Sequence, residues 1–274
     1  MITKKEISEA LALSCVESYF AAWINRYIDV TKLYCKSFIS FKKVFEDFSH
    51  GAIYQNYYSF PRLQDVAEEH GLSEHEYRAC SAEKALTVLA NSEEDELCLV
   101  RVSAEFFVGF KHSSWREDHY ICLDKDLNWL NHYPLSSGIY NRDEFKKIYG
   151  GAICVYKIKD VSVPLPDYVS EEFTKQDLSL IDFPSSLNNI ESAVGVLRVS
   201  RKRLEQFYRG NEKVRDLLRK ENDYLDNVYF NIRRSLLKAK DKDAVDKKRL
   251  EVIEQILRLI ETEKRISELL RNGH

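Results

Sequence analysis

Three residue types in this sequence could together make or break an acyl bond: a cysteine at a helix start, a histidine opening a strand and an asparagine closing the next. The last two lie in DHYICLDKDLNWLNHYP, residues 118 to 134, which reads as two short apolar strands about a polar turn. With Asp124, Lys125 and Asp126 as the turn, Leu123 pairs with Leu127, Ile121 with Trp129 and His119 with Asn131. Cross-strand partners on one face have Cβ atoms about 4.5–5.5 Å apart, so imidazole and amide come within hydrogen-bonding range. A two-residue turn at Lys125-Asp126 would instead set His132 opposite His119. A histidine held by an amide is the orienting half of a cysteine-nucleophile triad, because the amide fixes the tautomer and leaves the other ring nitrogen for the thiol proton. The thiol belongs at a helix start, where peptide dipoles favour the thiolate and backbone N–H groups can receive an oxyanion. Of six cysteines, Cys15 fits best, directly after Ser14 and at the head of an apolar run.

Several elements must position these groups. ISEALALSCVESYFAAWINRYI has helical apolar spacing, with Ser14 placed to begin or reinforce the helix. FISFKKVFEDF, FPRLQDVAEEHGL (stopped by Gly71) and AEKALTVLAN after Ser81 read as further helices. The period then turns strand-like in ELCLVRVSAEFFVGF, HYICLD, LNWLNHYP and GAICVYKIKD, with NRDEFKKIY a short helix before the last. Helices followed by an antiparallel sheet predict an α+β domain over 1–160. Pro164 and Pro166 mark an extended linker, 161–180, and 181–274 reads as an antiparallel bundle of about three helices, reversing at KAKDKDAVDKK.

Composition agrees with two modules. At 44% hydrophobic and 12% aromatic residues, 274 residues can bury a real core. Net charge is −3, but residues 201–274 carry 20 Lys/Arg against 14 Asp/Glu (+6) and the remainder 21 against 30 (−9). The start shows no secretory-signal pattern and no segment reaches roughly 20 uninterrupted apolar residues, so the expected location is the cytoplasm and no membrane is involved. Without a CxxC pair the cysteines are expected as thiols, with Cys98, Cys122 and Cys154 packed as small buried hydrophobes.

The order of Cys, helices, His opening a strand and Asn on the next resembles papain-like cysteine enzymes. It is most similar to the C39-like peptidase group and the related N-terminal domain of the butirosin-biosynthesis acyltransferase. The matching pieces are SCVESYFAAWI, LQDVAEEHGL with AEKALTVLAN, ELCLVRVSAEFF, DHYICLD, WLNHYPL and DEFKKIYGGAICVYKI, covering roughly residues 5 to 160. The resemblance implies a papain-like domain in which Cys15 is the nucleophile, His119 the general base and acid, and Asn131 its orienter. It further implies acyl transfer in natural-product assembly, from a thioester on an acyl or peptidyl carrier protein to a small-molecule amine or peptide, without cofactor or metal. Two positions depart from the pattern. Asn131-His132-Tyr133-Pro134 stands where Asp-Pro is usual, and the oxyanion glutamine before the nucleophile is missing, which leaves a backbone donor or Ser14 for that role.

Two other readings come from different classes. Hydrolysis of a peptide or amide needs the same triad, and an inactive papain-like scaffold fused to a bundle needs none of it. A homodimer through the C-terminal helices is compatible with each. His70, Glu74 and His75 could be drawn as a metal site, but EEHGLSEHEY also reads as a solvated turn without a convincing fourth ligand. His112, in FKHSSWRED, reads as an exposed loop residue. SRKRLEQFYR and IRRSLLKAK read as basic faces turned to solvent or protein, since no nucleic-acid motif accompanies them.

Overall fold

The strand-like middle of the chain builds a six-stranded antiparallel sheet, ordered β1-β6-β2-β3-β4-β5. The computed structural model describes residues 2–54, 57, 60–110, 119–169, 175, 177–238 and 242–272. His112 lies outside them. The strands are β1 Ser73–Ala79, β2 Leu97–Val102, β3 Tyr120–Leu123, β4 Asn128–Asn131, β5 Ser136–Ile139 and β6 Tyr149–Ile158. The helices are α1 Lys4–Ser8, α2 Cys15–Ile24, α3 Phe41–Ser49, α4 Leu63–Glu69, α5 Ala82–Ala90, α6 Arg142–Ile148, α7 Leu187–Phe207, α8 Glu212–Lys238, α9 Lys242–Leu257 and α10 Ile260–Asn272. The fold class is α+β, as expected. Among the described residues no helix is long and apolar enough to cross a membrane.

The chain divides into two units, but not at a single boundary near residue 160. One unit is Met1–Val30 with Arg62–Pro164; the other is Thr31–Pro61 with Leu165–His274. Two helices that look alike in sequence, α3 and α4, therefore belong to different units.

In the first unit the central strands β2, β3 and β6 are buried on both faces. Cys98, Val100, Val102, Ile121, Leu123, Ile153 and Val155 join Ala85 and Leu89 of α5 and Phe145 of α6 in one core. By strand alternation Leu99, Cys122, Cys154 and Tyr156 point to the other face, where the rings of Phe20 and Trp23 from α2 meet Tyr156 with centroids at 5.3 and 6.4 Å. Two-sided burial explains why LCLVRV and YICL read as continuous apolar runs. Each fully buried Val, Leu or Ile there stabilises by about 1.5–3 kcal/mol. Cys98, Cys122 and Cys154 are all buried, and desolvation pushes their thiols up to about 11, 12 and 11.

Two strands escape the apolar pattern. β1, SEHEYRA, is almost wholly exposed, a charged edge strand paired only to β6, and polar edges discourage further pairing. β5, SSGI, is partly exposed and carries one large apolar residue; its Gly138 stands directly opposite Trp129 and leaves the indole the space a side chain would fill.

Among the described residues the second unit holds four C-terminal helices rather than about three, because the last apolar run breaks between Leu257 and Ile260. Helices α7, α8 and α10 meet around Phe38, Val169, Leu204, Leu218 and Ile266. Part of the expected linker is thus core: Val169 is fully buried and its N–H donates to Tyr208 Oη at 3.0 Å. The basic face SRKRLEQFYR is not all solvated either. Arg201 is fully buried, its Nη2 within 2.7 Å of both carboxylate oxygens of Glu263. Arg203 is buried with its guanidinium 5.4 Å from the Tyr34 ring centre and 4.8 Å from that of Phe60.

Candidate active site

The site begins at the turn between β3 and β4. Asp124 accepts the N–H groups of Asp126 at 3.1 Å and Asn128 at 2.9 Å, and Leu127 takes a left-handed conformation, φ 60°. A three-residue loop closed by a left-handed residue is a standard hairpin solution. The loop is therefore Lys125 to Leu127, one residue later than expected, and the register moves with it: Leu123 pairs with Trp129 and Cys122 with Leu130. Ile121, not His119, then faces Asn131. A shift of two in pairing preserves which side chains share a face, so His119 becomes the diagonal neighbour of Asn131 and stays within reach.

His119 Nε2 lies 2.7 Å from Asn131 Oδ1. Asn131 is fully buried, and its Nδ2 donates to Pro134 O at 2.8 Å. That second bond orients the amide so that its oxygen faces the imidazole, which makes Nε2 the donor and places the lone pair of the neutral ring on Nδ1. Aromatic rings hold the imidazole: Phe106 lies near-parallel at 6.1 Å and Phe107 edge-on at 5.1 Å. Phe106 in turn abuts the Trp129 ring at 5.7 Å. His132 follows Asn131 in sequence; burial first, then the neighbouring His119, pushes its pKa down.

Cys15 is the first residue of α2 and is partly exposed. Ser14 caps that helix, its Oγ accepting the N–H of Glu17 at 3.1 Å. The hydroxyl considered for the oxyanion thus already serves as a cap acceptor. Glu17, almost fully buried, turns back to accept the N–H of Leu13 at 2.7 Å and that of Leu63, at the start of α4, at 3.1 Å. First-turn amides of a helix have no intrahelical acceptor, so the start of α2 is a group of donors beside the thiol.

Helix α2 lies across the sheet from the face carrying His119 and Asn131, so its direction decides where the thiol goes. Near its C-terminal end Trp23 Nε1 donates to Asp95 O, just before β2, at 2.7 Å. One turn after Cys15, Tyr19 Oη accepts the N–H of His132, just after β4, at 2.8 Å. Since β2, β3 and β4 are successively antiparallel, α2 runs along β3, and Cys15 starts it at the sheet end where His119 leads into β3 and β4 ends with Asn131. Tyr19 is fully buried; desolvation, then the thiols of Cys15 and Cys122, raises its hydroxyl well above the ordinary value.

Sequence reasoning picked out Cys15, His119 and Asn131 but passed over Glu17, Tyr19 and the Phe106-Phe107 pair. Ser14-x-x-Glu17 carries a capping signature, and Tyr19 stands four positions after the thiol, on the same helix face. Two of the three residues considered for a metal sit in ordinary pairs: His75 Nδ1 bonds Glu68, and Glu74 meets Lys159 Nζ at 2.8 Å. Among the described residues no group of three His, Cys, Asp or Glu is arranged to hold a metal ion. Comparison of the sequence with protein-family models and with curated proteins finds no match.

Proposed function

We propose that the chain is a cysteine-nucleophile acyltransferase of the papain-like kind, related to the C39-like peptidases and the butirosin acyltransferase domain. The observation that carries this reading is the His119–Asn131 bond at 2.7 Å, with the amide oriented by Pro134 O. With Nε2 on the amide, Nδ1 is the ring nitrogen assigned to the Cys15 proton in this reading.

In the proposed reaction His119 Nδ1 takes the Cys15 proton, and the imidazolium keeps its Nε2–H bond to Asn131. The thiolate attacks the carbonyl of a carrier-bound thioester; N–H groups at the start of α2 receive the oxyanion. Collapse breaks the bond to the carrier sulfur, which leaves with the proton from Nδ1, and an acyl-Cys15 thioester remains. An amine then attacks, gives its proton to His119, and releases the amide and the Cys15 thiol. Water in place of the amine gives the hydrolase variant with the same residues.

Incubation with a panel of acyl-thioesters, read by intact mass, tests the reading. An acyl adduct on wild type that Cys15→Ala abolishes and an amine discharges supports transfer, whereas discharge by water alone assigns hydrolysis. Identical behaviour of wild type and Cys15→Ala across the panel, with no preferential alkylation of Cys15, rejects it in favour of a scaffold.

A further inference from the structure

Strand pairing of β4 ends at Leu130 on the β3 side and at Asn131 on the β5 side, so the next backbone N–H, that of His132, needs an acceptor from elsewhere. Tyr19 supplies it at 2.8 Å from the interior of α2. A buried phenol without a partner would cost about 1–3 kcal/mol, and so would a buried N–H, so each group satisfies the other. The bond ties two things that lie on opposite faces of the sheet: the helix that begins at Cys15, and the strand end that carries the Asn131 amide. One turn of helix, about 5.4 Å, separates Tyr19 from the level of Cys15. One residue separates His132 from Asn131, which in turn holds His119.

We infer that Tyr19 is a positioning residue for the Cys15–His119 pair, setting their spacing through the His132 backbone rather than by touching the substrate. This rests on the catalytic reading above. A phenylalanine would fill the same volume, so the assignment concerns the hydroxyl and not the packing. Without it the end of β4 is no longer tied to the nucleophile helix, and misplacement of reacting groups by about 1 Å can cost on the order of a hundredfold in rate. The groups around the phenol that titrate, Cys15, Cys122 and His132, make no competing claim on the bond, because the donor is a backbone amide.

The experiment follows iodoacetamide alkylation of Cys15 from about pH 4 to 9 in the full chain, read on the Cys15 peptide so that the other thiols do not count. A thiolate–imidazolium pair alkylates fast well below the ordinary thiol pKa of about 8.5. Tyr19→Phe is compared with wild type and with Leu89→Ala, a fully buried position in α5 that serves as a packing control. The expected result is a Tyr19→Phe rate at pH 6 lower by roughly tenfold or more, with the acid limb moved toward that of a simple thiol, while Leu89→Ala lowers thermal stability and keeps the wild-type limb. A Tyr19→Phe profile superimposed on wild type, or an equal shift in Leu89→Ala, overturns the inference alone. A wild-type Cys15 that alkylates like a simple thiol at every pH overturns the catalytic reading and this inference together.

Discussion

Replacing Glu17 by Gln tests how the nucleophile helix is anchored. Glu17 is 1% exposed and gives one carboxylate oxygen to Leu13 N–H at 2.7 Å and the other to Leu63 N–H at 3.1 Å. Gln offers one oxygen and one NH2, so a donor must face a donor at one of the two sites. The remaining bond changes from charge-assisted to neutral, and one buried N–H loses its acceptor. A hydrogen bond to a charged group is worth about 1.5–3 kcal/mol and an orphaned buried donor about 1–3, and these overlap rather than add, so a loss of about 2–3 kcal/mol is expected. For a chain of this size that is a fall of roughly 5–10 °C in Tm. Urea unfolding by circular dichroism and tryptophan fluorescence measures it, and Glu17→Ala, which removes both acceptors, should lose more. Glu17→Gln within about 0.5 kcal/mol of wild type would refute the anchoring role.

Two further outcomes follow from the packing. In the second unit, burial and then the Glu263 charge hold the Glu221 carboxyl well above its ordinary 4.5, against the opposing Arg201, whose Nε stands 3.5 Å away. A raised carboxyl pKa means stability is full below about 4.5 and falls as pH rises, by about 1.4 kcal/mol per pH unit until the folded-state pKa is reached. Glu221→Gln should therefore gain on wild type as pH rises above about 5 in denaturant titrations, and parallel stability curves would exclude the linkage. At Gly138 an added Cβ would come within 2.8 Å of Trp129 Nε1, so Gly138→Ala should cost about 1–3 kcal/mol and alter the near-ultraviolet dichroism of the Trp129–Tyr140 stack; an unchanged spectrum and midpoint would show that the indole yields freely.

Periodicity made the site legible only in part. Alternation along HYICLD and LNWLN assigned His119 and Asn131 to one face, and that assignment survives any even shift in register. It could not set the register itself, which depends on Asp124 folding back over the turn and on Leu127, rather than Asp126, taking the left-handed position. Helix α2 was readable from Ser14 and its apolar spacing. Its tethers were not, since Trp23 to Asp95, Tyr19 to His132 and Glu17 to Leu63 join residues far apart in sequence and leave no local pattern. The same blindness hid Arg201: a basic residue on a polar helix reads as solvated until Glu263 and Glu221 arrive from other helices. The division of the chain was illegible for a related reason. Thr31–Pro61 leaves the first unit and joins the second before the chain returns at Arg62, a route that composition does not record.

The unequal support of the two halves of the proposed site decides where it is vulnerable. His119 and Asn131 sit on neighbouring strands, share a bond of 2.7 Å and are braced by Phe106, Phe107 and Pro134 O, so their geometry is over-determined. Cys15 depends instead on the pose of one short helix lying on the opposite face. That pose rests on apolar contacts that resist separation but tolerate sliding, and on a few directional bonds from Trp23, Tyr19 and Glu17 that do not. Sliding α2 along β3 by one residue moves the thiol about 1.5 Å. It leaves Phe20 and Trp23 against the sheet but breaks the bonds to Asp95 and His132. The hydrophobic contacts therefore hold the helix on the sheet, and the polar tethers select its register, which for a reaction between groups on two elements is the quantity that matters.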